Sequence, residues 1–317
     1  MMGFKYFVIG SGSIGNRHAA NLALLGAAVE QYSWRTIDLP RVLQKIADCN
    51  GNAGVIIATA TNVRLPLIAQ CAAAGAALYI EKPVAYRCDE VDQIFDLPDS
   101  ILERSVAGFM MRYHPIVQYL LSHPVSNPFR ASFEVGHDVR QWRKNWAFSD
   151  SYAADREGGG ALLDLCHEID LAWLLCEAPE LSSVSSVNHP KFGGVDVASM
   201  LHFHFRTGCH AHVALDYLAP HLVRRGYILG LEEEVQFDFT KGTVLRTTQQ
   251  ESEVKSFTHD RNQMFLDLLV DFMSLAEGRK TTNQHVPRLK KLKDTCNAIA
   301  KAWKMRDFTG QIEADLT

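Results

Sequence analysis

The sequence predicts an α/β chain in two parts, a doubly wound parallel sheet followed by an α/β domain built on an antiparallel or mixed sheet. Three observations carry that expectation. Short apolar runs alternate with helical stretches as far as Phe109, and a glycine-rich turn, GSGSIG, follows the first of them. After His114 the pattern changes to strand-like runs separated by short turns. The expected domains are residues 1–115 and 116–317.

In the first part the strands are expected at 6–10, 27–33, 54–58, 77–80 and 105–109. They read as continuous apolar runs, as strands covered on both faces do. Helical stretches at 14–25, 39–48, 63–74 and 89–95 lie between them. That alternation implies right-handed crossovers in a parallel sheet. In the second part FRASFEVGHDV, VDVASMLHFHFR, CHAHVALDYL, RRGYILGLEEEVQFDF and TVLRTTQQ alternate with period two and are joined by hairpin-length gaps. Helices are expected over Gly160–Cys176, Asn262–Glu277 and Pro287–Arg306.

Composition narrows the function classes. The 317 residues are 47% hydrophobic and 21% charged with a net charge of −4, so no electrostatic footprint points to nucleic acid or to a membrane surface. Seven scattered cysteines contain no C-x-x-C pair, which argues against a disulfide framework or a zinc ribbon and fits a reducing cytoplasm. No apolar run of about 18 residues and no signal peptide is visible.

Gly10, Gly12 and Gly15 fit G-x-G-x-x-G after a strand and at the opening of a helix. The first glycine permits the tight turn, the second lets a pyrophosphate approach the backbone, and the third lets helix and strand pack closely. The helix N-terminus, with Ser13 and Ile14, presents free N–H groups to an anion. An acid about 20 residues on would take the ribose hydroxyls of NAD. Here the second strand ends Tyr32-Ser33-Trp34-Arg35, with no acid before Asp38. A hydroxyl followed by a guanidinium suits a 2′-phosphate, so NADP is expected ahead of NAD.

Beyond the loop, Thr59-Ala60-Thr61-Asn62 closes a strand, Glu81-Lys82-Pro83 closes the next, and residues 158–175 read GGGALLDLCHEIDLAWLL. With Asn16-Arg17-His18 and Arg112-Tyr113-His114-Pro115, these stretches make the chain resemble the Gfo/Idh/MocA family of nicotinamide-dependent oxidoreductases over its full length. The resemblance implies a Rossmann domain and a C-terminal α/β domain with a large open, mostly antiparallel sheet. It implies hydride transfer at a carbinol or carbonyl carbon of a sugar, amino-sugar, nucleotide-sugar or cyclitol. It places Thr59, Thr61, Asn62, Glu81 and Lys82 at the cofactor, and Lys82, His167 and Asp164 at the chemistry. Arg112, Tyr113, Arg143, Asp164, His167 and Asp170 are then substrate-binding candidates. Many members of the family read D-x-x-x-H, whereas this chain reads Asp164-Leu-Cys-His167, one residue shorter.

The residue types suit that chemistry. Taking hydride from a secondary alcohol requires its hydroxyl proton to leave as well, so a base must lie within hydrogen-bond reach. A partly desolvated lysine beside a cationic ring, or a histidine, can take it. Asp164, His167 and Asp170 recur every three residues, so one continuous helix would put all three on one face. Arg140, Arg143, Lys144 and Arg156 lie amid Trp142, Trp146 and Tyr152, which suits a sugar bearing an anionic group.

His202, His204, His210 and His212 alternate onto one face of two strands. Imidazoles so placed can bind zinc, but no cysteine or carboxylate pair completes a tetrahedral set, so no metal is expected. A homo-oligomer contact through the open sheet face is expected instead. Two other readings stay open: a catalytically silent NAD(P) sensor, and a glycosidase or epimerase using tightly bound NAD.

Overall fold

A computed structural model describes residues 3–141, 147–176, 180–204, 208–313 and 316. The chain divides into two compact units, Met1–Tyr113 with Asp260–Cys296, and His114–His259 with Asn297–Thr317. The boundary expected from sequence assigned 260–296 to the second part. The structure places that segment in the first unit, because its helix covers the first sheet.

The first sheet contains β1 (Lys5–Ile9), β2 (Ala28–Tyr32), β3 (Ala53–Ile57), β4 (Ala77–Ile80) and β5 (Val106–Ala107). All neighbours are parallel, in the order β2-β1-β3-β4-β5. Val8, Ile9, Val55, Ile56, Ile57, Leu78 and Ile80 are fully buried, which explains why β1, β3 and β4 read as unbroken apolar runs, whereas the edge strand β2, AVEQY, is partly exposed and does not. The helices Ser13–Leu24, Leu39–Ala47, Arg64–Ala73 and Cys88–Phe95 fall where the sequence puts them. The late helix Arg261–Ala276 packs Phe272 edge-on to Tyr6 and Tyr79, at ring separations of 6.2 and 5.7 Å. Asn21 and Asn262 exchange side-chain hydrogen bonds at 3.0 and 3.1 Å, pinning that helix to the Ser13–Leu24 helix. The strand order reverses on either side of β1, so the carboxyl ends of β1 and β3 flank the switch point at which this architecture binds ligands.

The second sheet has nine strands: β6 (Pro128–Gly136), β7 (Glu180–His189), β8 (Phe192–His204), β9 (His210–Asp216), β10 (Val223–Gly230), β11 (Glu233–Asp238), β12 (Thr243–Thr248), β13 (Ser252–Ser256) and β14 (Asp307–Gln311). Their order is β13-β12-β11-β10-β6-β9-β8-β7-β14. Two pairs, β6 with β9 and β7 with β14, are parallel and the others antiparallel. The run expected as one strand over 224–239 is a hairpin broken at Leu231 and Glu232. The helix expected over Gly160–Cys176 is two, Ala161–Asp164 and His167–Leu175, interrupted at Leu165 and Cys166. The helix expected over 287–306 begins only at Lys293, after a 3₁₀ turn at Leu289–Lys291.

Ala161, Phe148, Val195, Val197 and Tyr217 share one buried apolar cluster, which seats the first of those short helices on the sheet. Among the described residues no helix is long and apolar enough to cross a membrane. All seven cysteines are free thiols.

Candidate functional site

The first unit gathers its candidate residues along the carboxyl edge of the parallel sheet. Gly10 follows β1, Thr59 follows β3, and Glu81 follows β4, so adjacent parallel strands deliver all three stretches to one edge. The glycine loop has the shape its spacing implies. A Cβ on Gly10 would lie 2.4 Å from the Ala58 carbonyl oxygen, and one on Gly15 would lie 2.2 Å from the Gly10 carbonyl oxygen. A Cβ on Gly12 would meet nothing within 4 Å. The loop is thus closed on the protein side and open above Gly12 and Ser13, which are exposed at the start of the Ser13–Leu24 helix. Free N–H groups with open space above them fit a diphosphate. Gln31 of β2 braces the turn, donating to the Gly10 carbonyl at 2.9 Å and to Asn16 Oδ1 at 2.8 Å.

Past β2, Ser33 is half-buried and Arg35 is exposed. The nearest following acid, Asp38, accepts the Arg41 N–H at 3.3 Å as the N-cap of the Leu39–Ala47 helix. The acid within β2, Glu30, is bonded to Lys45 and Tyr32. Both carboxylates therefore have local structural partners, and Arg35 is the charged group at the strand's exit.

The Lys82 turn is held from several sides. Its peptide bond to Pro83 is cis. Arg64, buried at the start of its helix, donates to the carbonyls of Thr59, Glu81 and Pro83, tying the end of β3 to both flanks of Lys82. The Glu81 carboxylate accepts from His18 Nε2 at 2.7 Å and from the Lys82 N–H at 3.2 Å. Burial alone would raise that carboxyl, but the His18 hydrogen bond and field, then the Lys82 and Arg64 charges, bring it below its ordinary value. The Lys82 side chain remains half-exposed, as do Thr59 and Thr61, while Asn62 is exposed. Glu81 is almost entirely buried beneath them.

Arg112 and Tyr113 are buried within the same unit. Tyr113 donates its hydroxyl to Asp271 Oδ2 at 2.8 Å, and Arg112 donates to the His285 carbonyl at 3.3 Å. Asp271 also accepts from the Thr282 N–H at 2.6 Å and the Asn283 N–H at 3.1 Å, so it knots three segments together.

In the second unit Asp164 ends one short helix and His167 begins the next. The interruption replaces the continuous face on which i, i+3 spacing would have set Asp164, His167 and Asp170. Asp164 Oδ1 accepts from the Tyr152 hydroxyl at 3.0 Å, and Oδ2 from the Tyr217 hydroxyl at 3.3 Å. Tyr152 is half-exposed, whereas burial drives the Tyr217 phenol well above its ordinary value. His167 is 6% exposed and Asp170 is fully buried. Glu168, between them, forms a two-pronged pair with Arg224 at 2.6 and 3.0 Å. Asp196 fixes the start of the segment: Oδ2 accepts the Leu162 N–H at 2.7 Å, and a Cβ on Gly160 would lie 2.1 Å from Oδ1. Arg143, with Trp142, Lys144 and Trp146, lies outside the described residues.

On the sheet, His202 and His212 pair across β8 and β9 with their Nδ1 atoms 2.8 Å apart, and His204 Nε2 lies 3.2 Å from Glu180 Oε2. Among the described residues no group of three or more histidine, cysteine or acidic side chains is arranged to hold a metal ion.

Sequence reasoning passed over Arg64, Asp196 and Tyr217 and gave His18 no role. His18 did carry a signal, since it lies three residues after Gly15 and four before Leu22, on the helix's buried stripe.

Residues 129–245 match the model of the GFO/IDH/MocA C-terminal domain. Among curated proteins no match was found. Solved structures share the fold along the chain. UDP-N-acetylglucosamine 3-dehydrogenase GnnA from Acidithiobacillus ferrooxidans is 19% identical with a TM-score of 0.72, covering 96% of this chain and 97% of its own. Levoglucosan dehydrogenase in complex with NADH is 17% identical with a TM-score of 0.75, covering 96% of each chain. An oxidoreductase from Agrobacterium radiobacter in complex with NAD+, L-tartaric acid and magnesium is 15% identical with a TM-score of 0.73, again over 96% of each.

Proposed function

We propose, from the premise that this chain carries a GFO/IDH/MocA C-terminal domain, that it is an NAD(P)-dependent dehydrogenase or reductase acting on a sugar-like alcohol or carbonyl. The observation that carries this reading is the Lys82 turn. A lysine on the carboxyl edge of the sheet has its backbone clamped by Arg64 and Glu81, and it stands beside a glycine loop shaped for a diphosphate. The relatives in fold include proteins named as dehydrogenases of a nucleotide sugar and of levoglucosan, one of them in complex with NADH. The substrate class is accordingly a sugar, amino-sugar, nucleotide-sugar or cyclitol.

Gly10, Gly12, Ser13, Ile14 and Gly15 hold the diphosphate, with Thr59, Thr61, Asn62 and Lys82 alongside. Ser33 and Arg35 receive the adenosine ribose, and NADP is favoured because Asp38 is engaged as a helix cap. The nicotinamide group supplies or accepts the hydride. Lys82 and His167 hold the proton that leaves or enters the substrate oxygen. Asp164, through its two tyrosines, orders the polar surface in which His167 works. Asp170, fully buried, orients the helix from beneath, which makes Asp164 the better candidate of the two acids for the substrate side. Arg143 is retained as an anion-binding candidate. The open sheet face, with its histidines, serves a homo-oligomer contact, and the free cysteines suit a cytoplasmic protein.

Titration of the purified protein with NADH and NADPH by nicotinamide fluorescence, followed by a screen of sugars and nucleotide sugars for absorbance change, tests the reading. Saturable binding with a preference for NADPH and turnover of at least one such alcohol or ketone are expected. Failure of both dinucleotides to bind would sink it.

A further inference from the structure

We propose that the buried His18–Glu81 pair is a positioning device, coupling a dinucleotide seated on the glycine loop to the backbone that carries the Lys82 amine. This rests on the cofactor reading above and adds a residue to it.

Connectivity is the first support. His18 belongs to the same helix as Ser13, whose N-terminal turn forms the open side of the loop. Its Nε2 lies 2.7 Å from Glu81 Oε1, and the other oxygen of that carboxylate accepts the Lys82 N–H. One carboxylate therefore bridges the phosphate-binding helix and the lysine's own peptide group. Space is reserved for it: a Cβ on Gly108, at the end of β5, would lie 2.9 Å from Glu81 Oε2. Arg64 restrains the opposite side of the turn through its carbonyls, and the carboxylate links the turn to the helix.

Cost is the second support. His18 is fully buried, edge-on to Tyr79 at 4.7 Å and to Phe265 at 5.8 Å, and its Nδ1 has no hydrogen-bond partner among the described residues. A buried carboxylate and an unsatisfied ring nitrogen are both unfavourable relative to an apolar pair of the same volume. Packing alone gives no reason to keep them, whereas a link between two functional loops does.

The test compares wild type, His18→Leu and His18→Gln by hydrogen-exchange mass spectrometry of the peptide spanning residues 78–86, with and without NADPH or NADH. In wild type, dinucleotide slows exchange at the Lys82 amide. In His18→Leu that amide exchanges about tenfold faster without ligand, and the response to dinucleotide is lost although binding persists. His18→Gln, which can still donate to Glu81, keeps the response. Turnover gives a second readout: His18→Leu slows it about tenfold in wild type and leaves it unchanged in a Lys82→Ala background, as expected for a residue acting through Lys82. Wild-type exchange in His18→Leu overturns the proposal. So does faster exchange spread evenly over all core peptides with a lowered melting temperature, which marks a packing role only. If neither dinucleotide binds wild type, the coupling falls with the cofactor reading. The ligand-free comparison still decides whether the pair holds the turn.

Discussion

Arg306 Nη1 lies 2.6 Å from Asp196 Oδ1, and both side chains are buried. Asp196 spends its other oxygen on the Leu162 N–H and on Ser199, so this one carboxylate anchors the entry to the segment that carries Asp164 and His167. Removing the arginine strands a buried charge. Arg306→Met is expected to destabilise the protein by about 3–5 kcal/mol. Urea unfolding measures it, and a loss below about 1 kcal/mol would show the pair to be incidental.

Lys82→Ala tests the proton-transfer assignment. Loss of a positioned acid or base typically lowers turnover by about 10²–10⁴-fold. Dinucleotide affinity should change by less than about threefold, since the diphosphate is held by backbone N–H groups at the glycine loop. Normal turnover in this variant removes Lys82 from the chemistry.

Arg35→Ala separates the two cofactors. If the guanidinium meets a 2′-phosphate, NADPH affinity drops about 10- to 100-fold, the worth of a charged hydrogen bond, while NADH affinity stays the same. Equal affinities in both proteins would assign the ribose to other groups.

His114 predicts a pH effect on stability. Its Nδ1 accepts the Ile116 N–H at 3.1 Å, and its ring lies against Phe239 and, at 4.0 Å, His259. Burial, then the His259 and Arg224 charges, push its imidazole down to about 3. The folded state thus refuses a proton that the unfolded chain accepts below its ordinary value of about 6.5. The contribution is complete above that value and is lost as pH falls toward 3. Between pH 6.5 and 4.5, wild type should lose about 2 kcal/mol more than His114→Asn, which keeps a capping side chain. Parallel curves of unfolding free energy against pH would refute this.

What the sequence disclosed follows from what burial imprints on it. Strands β1, β3 and β4 are covered on both faces, so each is an apolar run that can be read without neighbours. Strands β13 and β14 at the edges, SEVKS and DFTGQ, are largely exposed and carry no alternation. β7, ELSSVSSVNH, is partly buried, but its serines leave few apolar positions to mark a buried face. Leu165 and Cys166 contain no helix breaker, so the interruption between Asp164 and His167 is set by tertiary structure rather than by propensity. Arg64 stayed hidden because its acceptors are backbone carbonyls, which leave no mark in the text. The Arg261–Ala276 helix was legible as a helix, yet an amphipathic pattern does not name the sheet it covers.

That helix has a consequence for synthesis. The flank of Tyr6 and Tyr79 is translated well before its cover, Phe272, which follows Tyr79 by some 200 residues. That flank is therefore made long before its cover, and a nascent chain stalled before Asp260 carries an uncovered hydrophobic surface of the kind that chaperones hold.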